Sequence, residues 1–146
     1  MPAASRNVVT ELFFKIHPWI YRKSGGRILG KLGNSPILML NTIGRRSGLS
    51  RTNGLVCVQE ENGWLVAASW AGEPKHPIWY LNLKANPEAT VQVRDRTTRV
   101  RARDLQGEER ELGWKKIVEQ DPSFAEYEDR SRGIREIPVV LLESQA

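Results

Sequence analysis

The first part of the chain carries its apolar residues at helical spacing. Between positions 8 and 21, one face of a 3.6-residue period collects the large apolar side chains, namely Val8, Val9, Leu12, Phe13, Ile16, Trp19 and Ile20. Pro18 is expected to kink this helix or to begin a second one. The pattern predicts an amphipathic helical segment within residues 1–33, whose apolar face either covers the rest of the domain or lies on a membrane surface.

Beyond residue 33 the pattern changes to short apolar runs and alternating positions, which are typical of strands. Strands are predicted at residues 36–42, 55–59, 64–70, 89–94, 98–105 and 137–142, with a hairpin turn at 60–63. Helices are predicted at residues 77–85, 108–120 and 122–130. Hairpin-linked strands without regular alternation of strand and helix favour a compact antiparallel barrel of about six strands, with a barrel region over 34–146.

Length and composition indicate one globular domain over residues 1–146, because 40% of the residues are hydrophobic and 27% are charged. The single cysteine, Cys57, lies in an apolar run and is expected to be a buried, inert thiol in a reducing compartment. No apolar run reaches the length of about 20 residues that spans a bilayer, and no secretory signal pattern is present. We therefore expect a cytoplasmic protein, with membrane association through the N-terminal helix as the alternative.

The charge balance favours an anionic partner, since the formal net charge is +5 and the pI is about 9.7. Several chemistries are excluded by the sequence, which has no Walker-type phosphate loop, no dinucleotide-binding glycine pattern and no nucleophile elbow. His17 and His76 are not spaced like metal ligands, and the chain has a single cysteine that could complete a ligand set. No metal site is therefore expected.

One short basic segment has the chemistry of an anion site. Arg45, Arg46 and Arg51 lie close together, and the glycines of the GRRSG run at 44–48 permit close approach of a ligand to the backbone. The charge pattern alone favours a solvated basic turn over an anion site. A second feature lies further along, where Trp79 and Tyr80 follow a predicted helix start and are suited to hold a planar ring near an anion.

Three separated motifs occur in a recognisable order: TIGRRSG at 42–48 followed by Arg51, VAAS at 66–69, and HPIWYLNLKANP at 76–87. With these motifs the sequence resembles the deazaflavin (F420)-dependent nitroreductase family over nearly its whole length. The resemblance implies a mainly β (α+β) fold, a split β-barrel like that of FMN-binding proteins, with an N-terminal helix and short peripheral helices. It also implies an enzyme that transfers a hydride from reduced F420 to a quinone, a nitroaromatic compound or an activated alkene.

The same resemblance implies a set of site residues. Those expected to bind the coenzyme are Met39, Leu40, Asn41, Arg45, Arg46, Ser47, Gly48, Leu49, Ser50, Arg51, Asn53, Val66, Ala67, Ala68, Ser69, Trp70, Ile78 and Trp79. Val56, Phe124 and Tyr127 are implied on the acceptor side, with Tyr127 as the candidate catalytic proton donor. Trp70 departs from the lysine that is usual in the family, and Lys75 is a candidate to replace that contact.

Two other functions remain open at this stage. A flavin (FMN) or haem binder on the same barrel is one alternative. The other is a nucleic-acid-binding barrel, in which Arg99, Arg101 and Arg103 share one face of a strand and form a phosphate track. The expected partner is a small-molecule hydride acceptor with no nucleic acid, and both a monomer and a homodimer are compatible with the sequence.

Overall fold

The computed structural model describes residues 31–32 and 35–145, so the predicted N-terminal helix lies outside the described residues. In this part of the chain the strands are β1 (Lys31–Leu32), β2 (Ser35–Ile43), β3 (Ser50–Val56), β4 (Val58–Glu60), β5 (Gly63–Ala67), β6 (Glu88–Val93), β7 (Arg96–Asp104) and β8 (Val139–Ser144). The helices are α1 (Ile78–Ala85), α2 (Gly107–Gln120) and α3 (Ser123–Ser131), and a short 3₁₀ turn spans Trp70–Gly72.

A single curled antiparallel sheet forms the body of the protein. Its strand order is β3-β2-β6-β7-β8-β5-β4, and β1 pairs with the beginning of β2. The two edge strands, β3 and β4, are consecutive in the chain and are separated by Cys57 alone. One residue links these edges only if the sheet curls until they lie side by side, so the sheet forms a nearly closed barrel.

Two apolar cores lie on opposite sides of strands β5 and β8. The barrel core is made of Leu38, Leu40, Cys57, Trp64, Val66, Ala68, Trp79, Tyr80, Leu83, Val91, Val100, Val140 and Leu142. The helix-side core is made of Leu65, Ala67, Leu105, Trp114, Ile117, Phe124, Ile137, Val139 and Leu141. Because side chains alternate across a strand, β5 and β8 supply both cores and read as continuous apolar runs.

Most of the elements predicted within the described residues are confirmed, with corrections among the strands. The predicted strand at 55–59 is wrong as one element, because β3 ends at Val56 and β4 begins at Val58. The start of β3 was missed because its first half is polar and exposed, as expected of an edge strand. The predicted strand at 64–70 is too long, since Trp70 and Ala71 adopt left-handed backbone angles, with φ of 43° and 52°. The structure has eight strands in its described part instead of about six.

The close approach of β5 to β8 requires glycine at position 63. A Cβ atom on Gly63 would lie 2.0 Å from the carbonyl oxygen of Leu142, which belongs to the paired strand backbone and has no room to move aside. Since β5 contains Val66 and Ala67 and leads directly into Ala68, this contact also helps to place one of the three motifs.

We expect Gly63→Ala to lower the free energy of unfolding by at least about 3 kcal/mol, because the methyl group overpacks a rigid backbone contact. Gly107→Ala is the matched control, since Gly107 has a φ of 58° but no atom within 4 Å of an added Cβ. That control should lose only about 1–2 kcal/mol from its left-handed backbone. Urea-induced unfolding of the two variants measures the difference, and equal losses would contradict the proposed contact.

Candidate functional site

The loop between β2 and β3 has a shape that is held by its own hydrogen bonds. The N–H of Gly44 donates to the carbonyl of Leu49 at 2.8 Å, and the N–H of Gly48 donates to the carbonyl of Gly44 at 2.8 Å. The Ser47 hydroxyl accepts from the N–H of Leu49 at 3.2 Å. Gly48 has a φ of 72°, and a Cβ on Gly44 would lie 2.6 Å from Oγ of Ser47. Gly48 is therefore favoured by the backbone of this turn, and a side chain at position 44 would crowd the Ser47 hydroxyl.

The guanidinium groups around this loop are open to solvent. Arg45, Arg46 and Arg51 are all exposed. Among the described residues, no carboxylate forms an ion pair with any of these arginines. An exposed cluster of like charges without counter-charges is unfavourable by itself and is suited to an anionic ligand.

The arginines on β7 are in a different electrostatic environment. Arg101 pairs with Glu88 across the β6–β7 ladder. Arg103 donates to Glu109 at 2.8 Å and to Glu143 at 3.1 Å. Two of the three arginines of the suggested phosphate track are thus already partnered by carboxylates, which weakens the nucleic-acid alternative.

Helix α1 anchors the basic loop through the buried side chain of Asn82. Its Oδ1 accepts from the backbone N–H of Arg45 at 3.0 Å, and its Nδ2 donates to Oγ1 of Thr42 at 3.1 Å. Asn82 is 2% exposed, so these bonds have little competition from water. Asn82 lies within one of the three motifs but is not among the site residues predicted from the sequence. The available signal was an amide on the buried face of a helix, between Trp79 and Leu83.

The coenzyme residues expected on β2 differ in their access to solvent. Met39 and Leu40 are fully buried. Asn41 is half-buried, accepts from the Thr52 hydroxyl at 2.5 Å and donates to Thr90 at 3.1 Å, so it is held across three adjacent strands.

The segment after β5 changes from buried to exposed within a few residues. The side chains of the VAAS motif, residues 66–69, are buried, whereas Trp70 is 37% exposed. At the other end of the connection, Ile78 is 58% exposed at the start of α1, and Trp79 returns to the barrel core. Two large apolar side chains are therefore presented to solvent on either side of residues 71–77.

Arg135, which precedes β8, was missed by the sequence analysis although it makes four contacts with the 68–76 segment. Nε donates to the carbonyl of Glu73 at 3.0 Å, Nη1 to that of Ala68 at 2.9 Å, and Nη2 to that of Ser69 at 2.8 Å. Nη1 also lies 3.0 Å from Nδ1 of His76. These partners are 59 to 67 residues away in sequence, so no local pattern indicates them.

The three residues expected on the acceptor side gather at the helix-side core. Phe124 is a buried member of it, and its ring meets that of Tyr127 edge-on with centroids 5.2 Å apart. Tyr127 is half-buried, and Val56 packs against the same core. The structure thus brings Phe124 and Tyr127 into direct contact and places Val56 on the same side of the sheet.

The comparisons with known proteins agree over most of the chain. Residues 13–144 match the family described as F420H(2)-dependent quinone reductase. An F420H(2)-dependent quinone reductase of Mycobacterium tuberculosis is 33% identical over 141 residues, which is 94% of this chain and 93% of that protein. A solved F420-H2-dependent reductase, FDR-A, is 44% identical with a TM-score of 0.68 and covers 74% of this chain and 94% of its own.

Two further solved structures bear on assembly and fold. One, described as a domain-swapped dimer, is 38% identical with a TM-score of 0.71 and covers 92% of this chain and 99% of its own. The haem storage protein HutZ of Vibrio cholerae is 16% identical, with a TM-score of 0.54 over 91% of both chains, which is a likeness of fold alone. The predicted mainly β, split-barrel class is confirmed by this likeness together with the antiparallel sheet.

In the described part of the chain, no helix is long and apolar enough to cross a membrane.

The matching family and the relatives agree in activity and coenzyme, so the predicted oxidoreductase class and the predicted coenzyme F420 are confirmed, and the FMN or haem alternative is not favoured. The chain belongs to the F420H(2)-dependent quinone reductase family.

Proposed function

We propose that this protein transfers a hydride from reduced F420 to a quinone, with nitroaromatic compounds and activated alkenes as further acceptors. The observation that carries the proposal is the preformed loop at residues 44–48, whose neighbouring arginines have no carboxylate partner among the described residues. The bound coenzyme supplies the hydride from C5 of its reduced deazaflavin ring. The chain's own residues bind, orient and shield the reactants.

The anionic tail of the coenzyme is assigned to the loop and the first half of β3. The residues proposed for this role are Arg45, Arg46, Ser47, Gly48, Leu49, Ser50, Arg51 and Asn53, all of which are exposed. Guanidinium groups bind phosphate and carboxylate oxygens through paired hydrogen bonds, so the residues present fit the phosphate and glutamate groups of that tail. The hydrogen bond from the backbone N–H of Arg45 to Oδ1 of Asn82 keeps the loop in place before the ligand arrives.

The ring of the coenzyme is assigned to the wall made by β2, the segment after β5 and the start of α1. The proposed residues are Met39, Leu40, Asn41, Val66, Ala67, Ala68, Ser69, Trp70, Ile78 and Trp79. Asn41, Trp70 and Ile78 present the most side-chain surface, and the buried members contribute the shape of the wall behind them. Trp70 gives this protein a flat apolar contact in place of a lysine, and exposed Lys75 is proposed to restore the charge.

Tyr127 is proposed as the acceptor contact and proton donor. Its ring is fixed against Phe124, and it is the sole hydroxyl among the three acceptor-side residues, because Val56 and Phe124 have none. A phenol on a packed ring is well placed to donate a proton to the oxygen of a quinone as the hydride arrives.

The location and assembly of the protein remain predictions. A cytoplasmic enzyme with a small-molecule acceptor is our proposal, and membrane contact through the N-terminal helix concerns residues that lie outside the described part of the chain. The relative that forms a domain-swapped dimer supports a homodimer over a monomer.

The proposed function is tested by titrating the purified protein with F420, read by coenzyme fluorescence, and by following oxidation of reduced F420 with a soluble quinone. We expect saturable binding at micromolar coenzyme and quinone-dependent turnover. Clear binding of FMN without binding of F420 would contradict the proposal.

Arg51→Ala should weaken F420 binding by about 10-fold or more, because a charge-assisted hydrogen bond contributes about 1.5–3 kcal/mol. Arg96→Ala is the matched control. Arg96 is also exposed on a strand, but it lies at the start of β7, and β2 and β6 separate β7 from the strand β3 that carries Arg51. Fluorescence titration of both variants measures the effect. If Arg96→Ala weakened binding as much as Arg51→Ala, the effect would come from net charge and the tail site would be placed wrongly.

Tyr127→Phe retains the ring that packs on Phe124 and removes the hydroxyl. We expect the kcat for quinone reduction to fall about 100-fold, a typical contribution of a general acid, with the F420 Kd unchanged. Steady-state kinetics with reduced F420 and a quinone measure kcat, and the fluorescence titration measures Kd. An unchanged kcat would remove Tyr127 from the proposed chemistry.

A further inference from the structure

The 68–76 segment contains a strained turn that needs support from outside. Trp70 and Ala71 are consecutive non-glycine residues in the left-handed region, with φ of 43° and 52°. Such a conformation is unfavourable for residues with a Cβ and persists where the surroundings hold it. The turn makes two internal bonds, from the N–H of Gly72 to the carbonyl of Ser69 at 2.9 Å and from that of Glu73 to the carbonyl of Trp70 at 3.0 Å.

The guanidinium of Arg135 holds this turn from both sides. It binds the carbonyls of Ala68 and Ser69 before the turn and the carbonyl of Glu73 after it. In the described part of the chain, Arg135 forms no ion pair with a carboxylate, so its charge is directed at these backbone oxygens and at His76. The side chain is half-buried, and burial lowers its pKa from the ordinary arginine value. A planar fork of donors can meet several carbonyls together, which a lysine ammonium on a flexible stem does less well.

The contact between Arg135 and His76 also determines the state of the imidazole. Every nitrogen of a guanidinium carries protons that donate, so the facing Nδ1 of His76, 3.0 Å away, must accept. The ring is then neutral, with its proton on Nε2. Burial in the first place, and the charge of Arg135 in the second, lower the pKa of His76, which agrees with a neutral ring. His76 immediately precedes Pro77, from which α1 starts.

We propose that Arg135 is a positioning residue, whose guanidinium holds the 68–76 segment in the conformation that presents Trp70 and fixes the proton of His76 on Nε2. The inference rests on the proposed function in one respect, namely that this segment lines the coenzyme. Arg135 is not proposed to contact either reactant, and it acts through the backbone that it binds. A purely structural role would change stability without changing the affinity of the folded protein for its coenzyme.

The first experiment compares Arg135→Lys with Arg132→Lys. Arg132 lies in the same connection between α3 and β8, but it is exposed and pairs with Asp129 at 2.9 Å. We expect Arg135→Lys to weaken the F420 Kd by at least about 10-fold in protein shown to be folded by circular dichroism, and Arg132→Lys to leave it unchanged. A smaller effect of Arg135→Lys in folded protein, or an equal effect of Arg132→Lys, overturns the positioning role.

Two measurements without coenzyme keep the inference separate from the proposed function. Nitrogen-15 NMR of histidine in the unaltered protein should show Nδ1 of His76 unprotonated and Nε2 protonated at neutral pH, and the opposite tautomer overturns the inference even if Arg135→Lys does not fold. Amide hydrogen exchange should become faster at Gly72 and Glu73 in Arg135→Lys, and unchanged exchange there counts against it. Failure of the unaltered protein to bind F420 would instead contradict the proposed function.

Discussion

The junction at Cys57 constrains the whole architecture, because it joins the two edges of one sheet through a single residue. The Cys57 backbone is held on both sides: its N–H donates to the carbonyl of Pro36 at 3.0 Å, and its carbonyl accepts from the Gln120 side chain at 2.8 Å. The β2–β3 hairpin is therefore tied to helix α2 at this end and, through Asn82, to helix α1 at its loop end. A basic loop on a hairpin fixed at both ends keeps its geometry without a ligand.

The coenzyme half and the acceptor half of the proposed site share a packed boundary. Helix α3, which carries Tyr127, lies directly on the 3₁₀ turn: a Cβ on Gly72 would lie 3.0 Å from the carbonyl oxygen of Tyr127 and 2.8 Å from Cβ of Arg130. Arg130 also reaches the carbonyl of Ala71 at 3.3 Å. Movement of the turn would therefore displace the helix that carries the proposed proton donor, so the residues proposed for the two reactants are coupled by direct packing.

Sequence patterns predicted the elements whose side chains face a core, and they failed where backbone pairing alone determines the structure. The apolar run of β8 was found because both of its faces are buried, whereas the first half of β3 is polar and was recognised only after its pairing with β2 was seen. The motifs located the basic loop. Arg135 could not be predicted because three of its four partners are backbone carbonyls, which every residue has and which composition and spacing therefore do not reveal.

The buried thiol of Cys57 has a chemical consequence for an enzyme of this family. Burial raises the pKa of Cys57 to about 12, and its side chain is 3% exposed. Quinones are electrophiles that add to thiolates, and the thiolate is the reactive form of cysteine. Since Cys57 is the single cysteine in the chain, its burial leaves no accessible thiolate to react with such a molecule. The residue that joins the edges of the sheet is in this way protected from arylation by the compounds that the enzyme family reduces.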